Sequence, residues 1–240
     1  MRAAGLLIGL LPLLSGAVAA QSRKSQIISI SQLPANARQT AAFVPAGWRI
    51  DSRIGGDLNG DQQPDSVLVL VEKSGDVSQD GGEDSNRHRA LLIILAEPNG
   101  ALQRVGVGVG ALYCTKCLAR DSSQVGTPGV SLERGDVLVK HIFGTNQRLT
   151  QTQHYRYESA TGRVRLVMED YSCLNRAEAR FVSATTYFLT GQQIVRRGRG
   201  RWFTTMEKPV TRAVDVPQLH LEDVNLRKTI PAWLPPGFFD

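Results

Sequence analysis

Apolar residues along this chain recur mostly at every second position. "SVLVLVE" (66–72) and "RALLIILA" (89–96) go further and are near-continuous runs of Val, Leu and Ile. Runs of that kind read as strands buried on both faces. "EPNG" (97–100) is a turn, because Asn99-Gly100 tolerates positive φ at little cost. "ALQRVGVGV" returns from it with Gly106, Gly108 and Gly110 on one face. A face without side chains calls for something bulky packed against it, or for a bend. The second half repeats the grammar in three hairpins. "GVSLE" and "DVLVKHIF" are joined by Arg134-Gly135, "LTQTQHYRYE" and "RVRLVME" by "SATG" (159–162), and "ARFVSATTYFLT" and "QQIVRR" by Thr190-Gly191. The pattern predicts an all-β chain, mainly an antiparallel meander with sandwich- or blade-like sheets and little helix. Only "CLNRAEARF" (173–181) has room for one or two helical turns. No clean internal repeat is present, which argues against a full propeller built from this chain alone.

The ends differ from this body. "MRAAGLLIGLLPLLSGAVAA" (1–20) joins a basic residue, an apolar run and small residues before Gln21, the pattern of a signal peptide. The apolar run is short of the roughly 20 residues that span a bilayer, and no second such run occurs. The expectation is a periplasmic or secreted protein without a transmembrane segment. Residues 21–42 then form a polar lead-in with one short strand. Residues 43–208 form the β-rich domain, and 209–240 a Pro-rich, aromatic tail that either docks Trp233 and Phe238 on the body or extends free of it. The loops 73–87 and 115–129 are long and polar, the first acidic and rich in glycine.

A formal charge of +6 is mildly basic and describes solubility better than it identifies partners. Export makes a disulfide the expected state of some of Cys114, Cys117 and Cys173. Either Cys114 or Cys117 reaches Cys173, or the two near neighbours pair, and one thiol is left over. "CTKC" lacks the strand-to-helix setting of a redox pair, and no second pair completes a zinc site.

The densest chemistry is "GGDLNGDQQPDSVLVLVE" (55–72). Asp57, Asn59 and Asp61 supply oxygens from the first, third and fifth positions. The Gln63 carbonyl and the Asp65 carboxylate follow at the seventh and ninth. Calcium takes six to eight such oxygens. The sixth position is Gln62 where a sharp turn favours glycine, and Leu68 stands where a twelfth-position glutamate completes a helix–loop–helix site. A strand follows, not a helix. "GDLNGDQQPDSVLVLV" resembles the FG-GAP or VCBS type of calcium loop, "GDxNxDGxxD" running into an apolar strand, at every liganding position, and departs from it at Gln62. "FVPAGWRI", "RALLIIL", "GVSLERGDVLVKHIFG" and "TTYFLTGQQI" extend the likeness to exported bacterial β-rich proteins with one such loop. The resemblance implies structural calcium. The alternative is an Asx-rich turn bonded only to its own backbone.

"RRGRGRW" (196–202) carries Arg196, Arg197, Arg199 and Arg201. It reads as a solvated turn, or as a flexible loop for an anionic partner. The four histidines are scattered, no G-x-S-x-G elbow occurs, and "GVGVGALY" is not a dinucleotide fingerprint. The expectation is a non-enzymatic binding protein of the bacterial envelope, with a protein or glycan partner and not nucleic acid. The alternatives are an envelope hydrolase or thiol-linked redox enzyme, and an inhibitor or immunity-like protein that presents loop 73–87.

Overall fold

The computed structural model describes residues 28–73, 87–115, 127–200, 204–226, 234, 235 and 238. The proposed signal peptide, most of both long loops, Cys117, Arg201 and Trp233 lie outside them. The described chain is all-β, with only short 3-10 turns at Ile30–Gln32, Thr40–Phe43 and Leu221–Asp223 besides strands. No helix among the described residues is long and apolar enough to cross a membrane.

Two antiparallel sheets make the body. The first contains β1 (Asn36–Ala37), β2 (Trp48–Gly56), β3 (Asp65–Glu72), β4 (Arg89–Ala96) and β5 (Leu102–Gly108), in the order β1-β5-β4-β3-β2. The second contains β6 (Gly129–Glu133), β7 (Asp136–Phe143), β8 (Gln147–Glu158), β9 (Arg163–Asn175), β10 (Arg180–Tyr187), β11 (Gln192–Arg199) and β12 (Thr205–Met206) in sequential order. A last strand, β13 (Val210–Ala213), also pairs with β11. The predicted turns appear where the residues permit them: Gly100, Gly162 and Gly191 all have positive φ, and Arg134 and Gly135 have φ of 52° and 82°.

β3 and β4 are buried on both faces, which explains their unbroken apolar runs. On one side Val67, Val69, Leu91 and Ile93 meet Val137, Val139, Tyr155, Val164 and Leu166 of the second sheet. On the other, Leu68, Leu70, Leu92 and Ile94 pack under Ile28, Leu33, Phe43 and Trp48. The lead-in therefore supplies core. Its strand is β1, while Ile30–Gln32 is a 3-10 turn.

The bare face of β5 is filled from the far end of the chain. A Cβ on Gly106 or Gly108 meets Leu221, and one on Gly110 meets the Val224 backbone. Leu221 is fully buried. The Leu166 N–H donates to the Leu219 carbonyl at 2.9 Å, the Leu226 N–H to the Gly110 carbonyl at 3.0 Å, and the Val107 N–H to Glu222 at 3.2 Å. Residues 219–226 thus clasp β5 of one sheet to β9 of the other.

The 173–181 segment forms no helix. β9 runs to Asn175, a turn follows, and β10 starts at Arg180. Eight register pairs between β9 and β10 satisfy backbone groups that an isolated turn of helix leaves open.

Candidate functional site

Loop 57–64 joins β2 to β3 and folds inward on its own backbone. One Asp57 carboxylate oxygen accepts the N–H groups of Asn59 (3.2 Å) and Gly60 (2.7 Å), and the other accepts that of Gln62 (2.9 Å). Asn59 accepts the Asp61 N–H at 3.0 Å, and Asp61 accepts the Gln63 N–H at 2.7 Å. The Asn59 amide also donates to Asp61 at 3.0 Å. Gln62 has φ of 67°, the left-handed backbone that the sixth position demands and that costs a non-glycine residue about 1–2 kcal/mol. Those backbone bonds, the Gln62 N–H first, hold the exposed Asp57 carboxyl below its ordinary range against a smaller opposing effect of desolvation.

Asp65 differs from the other two carboxylates. It is 2% exposed and opens β3. One oxygen accepts the Leu58 N–H and the other the Ala96 N–H, both at 2.8 Å. It therefore ties the loop to the end of β4, while the Leu58 side chain drops into the core between the sheets. Burial raises the Asp65 pKa, the two backbone bonds oppose the rise, and the Asp61 and Asp57 charges add to it. Arg53, the nearest basic residue in sequence, donates instead to the Ser66 hydroxyl at 3.0 Å. Among the described residues no three His, Cys, Asp or Glu side chains converge as a ready-made metal cluster. The oxygens of loop 57–65 come instead from a mixed carboxylate, amide and carbonyl set, the donor type calcium prefers. That chemistry fits the ion.

Cys173 is buried on β9 and carries a free thiol. The disulfide alternatives that run through Cys173 are therefore not made. β9 places Cys173 among Leu149, Val182, Ala184, Val195 and Phe238, whereas Cys114 lies beyond β5 of the other sheet. Burial raises the Cys173 pKa, offset in part by the Gln147 amide at 3.6 Å. A thiol so placed is a poor nucleophile.

The strand expected over "QQIVRR" continues into the basic run, where a turn was expected after Arg197. β11 extends through Arg199, because Arg180, Phe181, Val182 and Ser183 of β10 pair with Arg199, Gly198, Arg197 and Arg196. Strand alternation puts Arg196 on one face, within 3.5 Å of the Thr185 hydroxyl, and Arg197 and Arg199 on the other.

The histidines assemble no catalytic group with Ser131, which is exposed on β6. His141 is 1% exposed and makes a T-shaped contact with Tyr113 at 4.9 Å. It stacks on Phe143 at 6.1 Å. Neither ring nitrogen has a hydrogen-bond partner. Burial lowers its pKa to about 4; the Ala111 backbone opposes this and the Arg89 charge reinforces it. The alternation in "DVLVKHIF" shows His141 sharing a face with Val137 and Val139, but it carries no signal for the aromatic partner Tyr113.

Comparison with family models, with curated proteins and with solved structures gave no match.

Proposed function

We propose that this protein is an exported, non-enzymatic binding protein of the bacterial envelope whose loop 57–65 holds a structural calcium ion. One observation carries the calcium part of the reading. The loop turns Asp57, Asn59 and Asp61 inward at alternate positions and accepts a left-handed Gln62 to do so. Asp57, Asn59 and Asp61 would hold the ion with the Gln63 carbonyl, and Asp65 would complete the shell from the strand. The ion would supply positive charge among three carboxylates, of which Asp61 and Asp57 raise the proton affinity of Asp65. Fixed by Asp65 and Leu58 from within, the loop already has its ends in place. Calcium would therefore stiffen a formed turn, and no reaction is assigned to it.

The test is calorimetry on chelator-stripped protein with calcium alone. Binding heat and a raised melting temperature, both lost in Asp57→Asn with Asp61→Asn, support the reading. Absence of both in the parent protein refutes it. Capture from envelope extract with and without calcium, followed by Kd measurement on the purified partner, tests the binding role. With Cys173 free, the disulfide reading reduces to Cys114 with Cys117. Alkylation under denaturing, non-reducing conditions should label one thiol, Cys173. Three labelled thiols would exclude the bridge.

A further inference from the structure

At the far edge of the second sheet, on the face that also bears Cys173, the strands enclose a cleft of about 40 Å³. A water-sized centre needs about 10–15 Å³, so the cleft has room for a small polar group. Val182, Cys173 and Phe238 line its apolar part, while Gln147, Asn175, Arg180, Arg197, Arg199 and Glu207 supply the polar part. Pairing registers explain the concentration of charge. Arg180 stands directly opposite Arg199, and Val182 opposite Arg197, two residues further along the same face. Like charges directly opposed across an antiparallel pair are unfavourable. Arg180 meets Glu178 at 3.2 Å, with both side chains about half exposed. The guanidinium groups of Arg197 and Arg199 make no hydrogen bond or ion pair with any described residue, although the Arg197 carbonyl accepts the Glu207 N–H at 2.9 Å. Glu207 contributes one opposing carboxylate at the rim. Asn175 uses its side-chain oxygen on the Glu178 N–H at 3.1 Å, which leaves its amide hydrogens as donors.

Three guanidinium groups and an amide donor beside a partly apolar wall suit a tetrahedral oxyanion. Guanidinium forks match phosphate oxygens two at a time. We propose that this cleft binds a phosphate group through Arg180, Arg197 and Arg199. An anion held there screens the Arg180–Arg199 repulsion that the strand pairing imposes. The site is independent of loop 57–65 and of any ion bound there. The group's source is either a soluble phosphate or an anionic lipid headgroup.

The test uses the mature chain at low salt in phosphate-free buffer. Inorganic phosphate is titrated by calorimetry, and vesicles of phosphatidylglycerol or of phosphatidylcholine are assayed by co-sedimentation. Saturable phosphate binding, weakened about tenfold or more in the Arg197→Gln, Arg199→Gln double variant and by added salt, supports the site. Phosphatidylglycerol binding with the same loss in the double variant, and no binding to phosphatidylcholine, supports it with the lipid as source. Arg196→Gln, on the opposite face, should change neither. The double variant should melt at or above the parent's temperature without phosphate, because it removes a charge facing Arg180. If the parent protein binds neither phosphate nor phosphatidylglycerol, or the double variant binds as well as the parent, the proposal falls.

Discussion

His141 should make the fold acid-sensitive well above the carboxylate range. In the folded chain its pKa is about 4, against an ordinary 6.5, because burial strips water from the charged ring, and the Arg89 charge adds to this while the Ala111 backbone opposes it only in part. The unfolded state therefore takes up a proton before the folded state does. A depressed histidine contributes nothing at pH 8 and an increasing penalty below pH 6.5, which levels off only below the folded pKa. With those two values the linkage relation gives a loss of about 2 kcal/mol between pH 7 and pH 5, rising to about 3 kcal/mol at pH 4. His154 is also depressed by burial, with Asp136, Glu133 and Asp170 opposing the shift, and adds a loss of the same sign. Asp170, raised by burial, and Asp65, also raised, act the other way as pH falls. The comparison must therefore isolate one residue. Urea unfolding of the parent and of His141→Leu at pH 7 and pH 5 does so. Leucine suits the apolar surroundings, and the variant should lose about 2 kcal/mol less than the parent over that interval. Equal losses in the two proteins would refute the buried, neutral histidine. A His141 ring resonance titrating near pH 6.5 in the native state would refute it as well.

Three further outcomes follow from the packing. Asp65→Ala leaves the Leu58 and Ala96 N–H groups without their acceptor. It should cost about 2–4 kcal/mol, with faster amide exchange at those two residues; a loss below about 0.5 kcal/mol would contradict the clamp. Gln62→Gly relieves the left-handed backbone and should raise stability by about 0.5–1 kcal/mol after glycine's unfolded-state entropy is counted, seen as a higher denaturation midpoint. Leu221→Ala should cost about 2–5 kcal/mol, and a midpoint unchanged from the parent would show that the clasp is not part of the core.

The architecture was legible because burial imprints its period on the chain. The runs 66–72 and 89–96 could be apolar throughout only in strands covered on both sides, and Gly106, Gly108 and Gly110 announced a partner without naming it. Leu221 is 113 residues from Gly108, and nothing local in "LHLEDVN" identifies it as that partner. In the loop, spacing pointed to the inward turn and to strain at Gln62. It marked Asp65 as the ninth-position carboxylate but was silent about its burial and its bond from Ala96 across the sheet. The arginines were visible as a cluster, but "RRGRGRW" read as a turn, because two glycines weaken strand propensity and only pairing with β10 restores the strand. Arg180 and Asn175 joined that site through register, which no single segment encodes.

Residues 219–226 also set the order in which the fold can be completed. They come late in synthesis, yet they fill the groove of β5 and carry the bonds to Leu166 and Gly110. A nascent chain ending before residue 219 has both sheets' sequences but an open seam between them. Joining strand β5 to a segment more than a hundred residues later closes a long loop, an entropic cost met only when the partner arrives. Cooperative closure therefore belongs to the finished chain, and a ribosome-stalled series truncated on either side of residue 219 should change abruptly in protease resistance there.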